Sequence, residues 1–140
     1  MKKEVIAYLS GLFDGEGSFC IQIQKRAKYR IFTPRLSMSI KYGHKVLDKL
    51  VKNFGGKIYY YKDNMARWHL GGKNNIKAIT LIMLPYLTIK KEIAIKFLEA
   101  LKIFPKNRKI RWNQEMIDKV TDIAIHLNPQ SAQKRFKYNI

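Results

Sequence analysis

The feature that most constrains the fold is a change of hydrophobic period between residues 4 and 26. Residues Glu4 to Asp14 have helical spacing, and the glycines of Asp-Gly-Glu-Gly at positions 14–17 end the predicted helix. From Ser18 onward, apolar and polar residues alternate strictly, with Phe19 and Ile21 on the apolar face. A helix that passes through a tight turn into a half-exposed strand predicts a fold that contains both kinds of element.

The rest of the chain continues in the order hairpin, helix, hairpin, helices, which predicts an α+β fold. We expect a four-stranded antiparallel saddle-shaped sheet with helices on one side and an open polar face on the other. The helices and strands fill 1–127 as a single domain, and a basic, loosely held tail covers 128–140. After the first strand we predict a basic turn at 26–30, a strand at 35–41 and a helix at 46–54 that Gly55-Gly56 ends. Strands at 57–62 and 67–70 follow, with a turn at Asp63-Asn64 between them. Three helices complete the chain: one capped by Asn74 or Asn75 that ends near Pro85, one over 89–104 capped by Thr88, and one over 112–127.

The charge of the chain indicates its partner. Its 140 residues include 28 Lys plus Arg and 10 Asp plus Glu, a net charge of +18, while 46% are apolar, enough for a packed core. Such a basic domain is typical of proteins that bind a polyanion, because self-repulsion otherwise costs stability. The single cysteine excludes an internal disulfide and a zinc finger, and no segment is apolar enough for a membrane span. We therefore expect an intracellular nucleic-acid-binding domain without a membrane or small-molecule partner.

The outward positions of the predicted strands suit double-stranded DNA. Gln and Arg pair bidentately with adenine and guanine edges, and Ser and Lys contact phosphates. Any half-exposed sheet is polar outside, but these positions contain no acid. A ten-residue strand spans about 33 Å, so one sheet follows about ten base pairs. The residues predicted to contact DNA are Ser18, Cys20, Gln22, Gln24, Arg26, Arg35, Ser37, Ser39, Lys41, Lys45, Tyr60, Lys62, Arg67 and His69.

Three contiguous tyrosines, Tyr59 to Tyr61, require a choice, because alternation sends at least one toward DNA and at least one into the core. We assign Tyr60 to DNA because Ile58 and Lys62 share its face.

The acids at positions 14 and 16 lie where the first helix is predicted to end, at the negative end of its dipole. An acid there is repelled unless a cation is near, so Glu16 and the Gly15 carbonyl form a candidate half-site for Mg²⁺, with Mn²⁺ as a substitute. The alternative interpretation is a solvated turn, since Asp-Gly-Glu-Gly is also a common turn sequence.

Residues 9–17, Leu-Ser-Gly-Leu-Phe-Asp-Gly-Glu-Gly, resemble the signature of the LAGLIDADG homing endonucleases. The likeness extends to Leu-Pro-Tyr-Leu at 84–87 and to the lysine pair Lys90-Lys91, so that it covers nearly the whole chain. Glu16 replaces the usual final Asp of the motif, and Ser10 replaces the commoner Ala. Because the signature occurs once here and twice in the monomeric members, the resemblance implies a homodimer.

The resemblance also implies roles for individual residues. Glu16 and Lys90 are the implied catalytic residues, with His44 as a third and Lys41 or Lys45 as its substitutes; Glu16 and Gly15 would hold the metal. Two signature helices would cross through Ala7, Ser10, Gly11 and Asp14, although Asp14 is expected chiefly to hold backbone groups at the helix end.

The resemblance implies cleavage of both DNA strands that leaves short 3′ overhangs, and the candidate Mg²⁺ half-site indicates that the cleavage depends on metal. Two sheets that each follow about ten base pairs predict a pseudo-palindromic site of about 20 base pairs. The resemblance further implies an enzyme encoded in an intron. The alternative is a non-cleaving relative that binds DNA or RNA as an intron maturase or a transcription regulator. A generic RNA-binding domain is disfavoured, because the sheet face lacks the aromatic residues expected for base stacking.

Overall fold

The structure, a computed structural model, describes residues 1–26, 30–107 and 109–127. Its elements are α1 (Lys3–Glu16), β1 (Gly17–Lys25), β2 (Arg30–Lys41), α2 (His44–Phe54), β3 (Lys57–Tyr60), β4 (Met65–Leu70), α3 (Lys73–Met83), a 3-10 turn (Leu84–Tyr86), α4 (Lys91–Ile103) and α5 (Gln114–Leu127). The predicted α+β class and element order are confirmed. The predicted tail at 128–140 and most of the turn after Arg26 lie outside the described residues.

The four strands form one antiparallel sheet in the order β1-β2-β4-β3. The register pairs Phe19 with Leu36, and Met38 with Trp68, so alternate residues of three strands share one buried face. The β3–β4 hairpin turns at Asp63 and Asn64, whose φ angles of 63° and 60° match the type I′ turn that suits strand twist. The predicted turn at these two residues is confirmed.

A group of aromatic rings joins the buried face of the sheet to the helices. Phe13 of α1 lies edge-on to Phe19 of β1 at 5.0 Å between ring centroids, and Phe19 packs on Phe97 of α4 at 5.2 Å. All three rings are buried, as is Trp68. The start of β1 is thereby packed between the end of α1 and the middle of α4, which fixes the region that contains the signature.

Two helix starts differ from the predictions. α3 begins at Lys73 after Gly72, whose φ is 89°, so Asn74 and Asn75 lie inside the first turn and do not cap it. Thr88 does not cap α4, which begins at Lys91 without a cap from its own segment. The signal was ambiguous because Asn and Thr are also common in the turns that precede helices.

Within the described ranges, no helix combines the length and the apolar content that a membrane span requires.

We predict that Gly56→Ala destabilises the fold by more than about 2 kcal/mol. Gly56 has a φ of 92°, and an added Cβ would meet the His69 carbonyl oxygen and lie 2.7 Å from Trp68 Nε1. Trp68 is buried, and its Nε1–H already donates to the Gly55 carbonyl at 2.8 Å, so it cannot retreat without breaking that bond. Chemical denaturation measures the loss. Gly71→Ala, where the added methyl meets nothing, is the control and should change stability by less than about 0.5 kcal/mol; equal effects would contradict the prediction.

Candidate functional site

The signature helix passes into the first strand without a loop, because α1 ends at Glu16 and β1 begins at Gly17. The Gly17 N–H donates to the Phe13 carbonyl, and a Cβ on Gly17 would collide with the Phe13 ring. A side chain at position 17 would therefore separate the helix from the strand. Glu16 lies in the last turn of the helix, not beyond its end as predicted, and its side chain is exposed.

Asp14, in the last turn of α1, is buried and binds the chain segment that leads into α4. Its Oδ2 accepts the N–H groups of Thr88 at 3.1 Å and Ile89 at 3.0 Å, and its Oδ1 accepts the N–H of Lys90 at 2.8 Å. The Lys90 ammonium donates to the Asp14 backbone carbonyl at 2.7 Å. This confirms that Asp14 holds backbone groups and places Lys90 at the end of α1.

The pKa of Asp14 reflects this setting. Burial acts to raise it, but the three backbone N–H donors and the Lys90 charge together outweigh burial, and the pKa lies below its usual 3.8. Because the folded-state pKa is the lower one, the ionised carboxylate stabilises the fold at pH above about 3.8 and loses that effect as pH falls through the folded value.

The donors at the end of α1 are chemically suited to a hard divalent cation. The Glu16 carboxylate and the carbonyl end of the helix offer only oxygen, which Mg²⁺ and Mn²⁺ prefer. However, the described part of the chain contains no group of three His, Cys, Asp or Glu side chains that could hold a metal ion. The assignment of Glu16 and Gly15 as metal ligands stays a prediction.

The exposed side of α1 carries small residues. Gly11 and Gly15 are exposed, and a Cβ built on either would meet nothing within 4 Å; Ala7 is half-buried one turn before Gly11. Ser10 and Asp14 neighbour Ala7 around the helix, on the arc that turns toward the core, and are buried in their own chain. Gly11 and Gly15 are open to a partner, and the predicted helix crossing through Ala7, Ser10, Gly11 and Asp14 stays a prediction.

The outer face of the sheet, hereafter the outer face, carries most of the residues predicted to contact DNA. The register places three rows side by side across the strands: Ser18 with Ser37 and His69, Cys20 with Arg35, and Ser39 with Arg67. Two cross-strand bonds order the longer side chains, from Arg35 Nη2 to Gln22 Oε1 at 3.1 Å and from Arg67 Nε to Ser39 Oγ at 2.8 Å. Strand alternation adds Gln24 and Lys41 to this face, while Arg26 follows β1 and Lys62 lies in the β3–β4 turn.

Five residues of the outer face were not predicted. Ile31 and Thr33 pair with Gln24 and Gln22, because β2 begins at Arg30 and not at position 35. The missed signal is the alternation of Phe32, Pro34 and Leu36. A proline is uncommon inside a strand, so Pro34 hides the pattern, although it lies within β2. The other three residues, on β3 and β4, are Lys57, Tyr59 and Met65.

The assignment of Tyr60 to the outer face was wrong. Tyr60 pairs with Ala66, and Ile58 pairs with Trp68, so both β3 residues point to the side that the helices cover. Tyr59 pairs with Arg67 and is the β3 tyrosine on the outer face. β3 is an edge strand whose inner side is only partly covered by the helices. Tyr60 therefore remains 64% exposed although it does not lie on the outer face.

His44 and Lys45 lie in the first turn of α2, beyond the end of the second strand. The His44 ring packs on Tyr60 with centroids 5.2 Å apart, and its Nδ1 is buried without a hydrogen-bond partner among the described residues. Lys45 is exposed. The structure thus places His44 beside the edge strand, and its catalytic role stays a prediction.

His69 is the titratable group of the outer face whose pKa is shifted. Burial lowers the pKa below its usual 6.5, and the positive charges of Arg35 and Arg67 lower it further. The ring is therefore neutral at physiological pH and can both donate and accept hydrogen bonds.

A sequence profile of the LAGLIDADG endonuclease family matches residues 9–104, from the start of the signature to the end of α4. This chain belongs to the LAGLIDADG endonuclease family. No curated protein matches the chain.

Solved structures confirm the family's fold. The homing endonuclease I-TnaI is 20% identical with a TM-score of 0.78, over 92% of this chain and 91% of that chain. I-CvuI, in complex with its target in the presence of 2 mM Ca, is 22% identical with a TM-score of 0.75, over 87% and 78%. The LAGLIDADG homing endonuclease I-GzeII, in complex with a DNA target, is 17% identical with a TM-score of 0.78; the match covers 95% of this chain but only 49% of that one.

We predict that Ser10→Ala raises the free energy of unfolding by about 0.5–1 kcal/mol. The Ser10 Oγ is buried and has no hydrogen-bond partner among the described residues, so a methyl group removes a desolvated polar atom and also favours the helix. Thermal denaturation measures the change. Thr80→Val is the contrast, because the buried Thr80 hydroxyl donates to the Ile76 carbonyl at 2.7 Å and its loss should destabilise the protein. A lower Tm for Ser10→Ala would contradict the prediction.

Proposed function

We propose that this protein is a homodimeric, divalent-metal-dependent, site-specific DNA endonuclease. The observation that carries the proposal is the loop-free junction at Glu16 and Gly17, which joins an exposed carboxylate directly to a sheet with an acid-free outer face. Family membership gives that arrangement its chemistry. The proposed reaction is hydrolysis of a phosphodiester bond in each strand of a duplex, by water and without a covalent protein intermediate.

The exposed end of α1 supports a dimer. A two-fold axis beside α1 would bring two Glu16 carboxylates together and double the oxygen donors that one chain offers. The exposed Gly11 and Gly15 allow a second helix to approach closely, since neither position carries a side chain that would hold it away. The match covers 49% of the I-GzeII chain, which leaves room in that chain for a second unit of this size.

The outer face supports DNA as the substrate. Arg35, Lys41, Lys57 and Arg67 place positive charge on it, and no acid lies at its strand positions. β2 has 12 residues and spans about 40 Å, slightly more than one turn of duplex. Two sheets related by a dimer axis would follow about 20 base pairs of a pseudo-palindromic site. I-CvuI and I-GzeII, the relatives described above, are both solved with DNA targets.

In the proposed reaction, bound divalent cations would neutralise the scissile phosphates and lower the pKa of the attacking water. Glu16 and the Gly15 carbonyl would hold these cations, for which Mg²⁺ is the proposed ion and Mn²⁺ the substitute. The Lys90 ammonium, held at the end of α1, would stabilise the charge that develops on phosphate oxygens. His44, which lies beside the edge strand, is proposed to help hold the attacking water.

The cut geometry and biological setting are part of the proposal. With the two Glu16 side chains near the two-fold axis of the dimer, the enzyme would cut the two strands across one minor groove. The cut would leave short 3′ overhangs, as the family resemblance implies. We also propose that the enzyme is encoded in an intron and acts inside the cell. The competing function is a non-cleaving maturase or transcription regulator. An exposed Glu16 with no salt bridge among the described residues favours the nuclease, because a pure binder gains nothing from an unpaired acid beside DNA.

We predict that Glu16→Gln lowers the cleavage rate by at least about 10³-fold while the DNA dissociation constant changes by less than about threefold. The substitution removes metal-binding charge and leaves the outer face intact. The assay uses a duplex selected by cleavage from a randomised library with Mg²⁺, with an EDTA arm. Glu4→Gln, an exposed glutamate in the first turn of the same helix, is the matched control and should cut normally. Binding of discrete duplexes by the unsubstituted protein without any cutting would instead establish the non-cleaving function.

We predict that Gly11→Leu weakens dimerisation by at least about 100-fold and reduces cleavage with it, whereas Gly11→Ala has a smaller effect. The leucine side chain would keep two α1 helices apart. Gly11 is exposed and a Cβ there meets nothing within its own chain, so the monomer should not lose stability. Sedimentation equilibrium measures the dimer dissociation constant, and circular dichroism checks the fold. An unchanged dimer in Gly11→Leu would place the interface elsewhere.

A further inference from the structure

The first acid of the signature, Asp14, connects two elements that are 74 to 76 residues apart in sequence. Its carboxylate accepts three consecutive backbone N–H groups, from Thr88 to Lys90, and its backbone carbonyl accepts the Lys90 ammonium. Lys90 is thus bound to the same residue through both its backbone and its side chain.

This contact fixes the turn that leads into α4. α4 begins at Lys91, and no side chain of its own segment caps the helix. The three N–H groups that Asp14 accepts belong to residues 88–90, directly before the helix, and a carboxylate there suits the positive end of the helix dipole. α1 supplies that carboxylate, so the start of α4 is fixed to the end of α1 by charge-assisted hydrogen bonds.

The consequence for Lys90 is a defined ammonium position. The carbonyl that binds it belongs to Asp14, which is followed directly by Gly15 and Glu16. A lysine side chain is otherwise flexible, and holding it in one place costs conformational entropy. The hydrogen bonds to Asp14 set the position of the Lys90 ammonium before DNA binds. Asp14 lies two residues before Glu16, the proposed metal-binding acid.

We propose that Asp14 is a positioning residue for phosphodiester cleavage, which acts by holding Lys90 beside Glu16. The inference rests on the proposed endonuclease function. Asp14 does not touch DNA or metal in this role, because it is buried and both of its carboxylate oxygens already accept backbone N–H groups. Its loss should therefore slow the chemical step and leave DNA affinity nearly unchanged, since the outer face is formed by other residues.

A purely structural role for Asp14 makes a different prediction, and a double-mutant cycle separates the two. If Asp14 acts through Lys90, its substitution slows cleavage in the unsubstituted protein but not in a chain that already lacks the Lys90 ammonium. If Asp14 only stabilises the fold, Asp14→Asn has the same fractional effect in both backgrounds.

The experiment measures single-turnover cleavage, DNA affinity and Tm for the unsubstituted protein, Asp14→Asn, Lys90→Ala and the double variant, with a target selected by cleavage from a randomised duplex library. We expect Asp14→Asn to lower the rate by about 10- to 100-fold, with the DNA dissociation constant within about threefold. In the Lys90→Ala background the same change should alter the residual rate by less than about twofold. Asp118→Asn, an exposed acid on α5, is the control and should match the unsubstituted enzyme.

A second variant covers the case in which Asp14→Asn does not fold. Thr88→Pro deletes one N–H donor to Asp14 without changing the acid, and the preceding Leu87 already has the extended conformation, with ψ of 138°, that a following proline requires. We expect Thr88→Pro to slow cleavage several-fold in the unsubstituted protein and to leave the residual rate unchanged in the Lys90→Ala background.

Equal effects in both backgrounds, or an unchanged rate in folded Asp14→Asn or Thr88→Pro, would overturn the positioning role while leaving the endonuclease intact. An unsubstituted protein that cuts no duplex would overturn the proposed function, and the positioning role with it.

Discussion

The rest of the structure depends on the direct passage from helix α1 to strand β1. No loop separates Glu16 from Gly17, and Gly17 has no room for a side chain because the Phe13 ring lies against it. Phe13 in turn packs on Phe19 and Trp68, so the junction is part of the core. An exposed acid is thereby held at the end of the sheet by buried aromatic packing rather than by a mobile loop.

The acid that stabilises the fold differs from the acid assigned to the proposed metal site. The net charge of +18 opposes compact folding, and a polyanion on the acid-free outer face would relieve that repulsion. The one buried acid, Asp14, is saturated with hydrogen-bond donors, and its lowered pKa keeps it ionised at physiological pH. Glu16 is left exposed without an ion pair among the described residues. Two acids two residues apart therefore have different environments: one is fully satisfied inside, and one is available outside.

Much of the fold could be predicted from the sequence, and the failures have identifiable causes. Alternation found the inner faces of β1, β2 and β4, and the Asp63-Asn64 turn followed from residues that tolerate positive φ. Tyr60 was misassigned because three adjacent tyrosines carry no alternation, so only pairing with Ala66 reveals its side of the sheet. The burial of Ser10 within its own chain was not predicted, because a small residue suits both a helix crossing and a tightly packed core.

The sequence by itself determined the family, the element order and the chemical types on the sheet, because local periodicity and a nine-residue signature are properties of neighbouring residues. Only the tertiary structure decided which acid is buried and which is exposed. Asp14 and Glu16 differ by two positions, about 200° around a helix, and nothing in their local sequence shows that residues 88–90 pack over one of them. That choice depends on the long-range contact of residues 88–90 with the end of α1, which a local pattern does not encode.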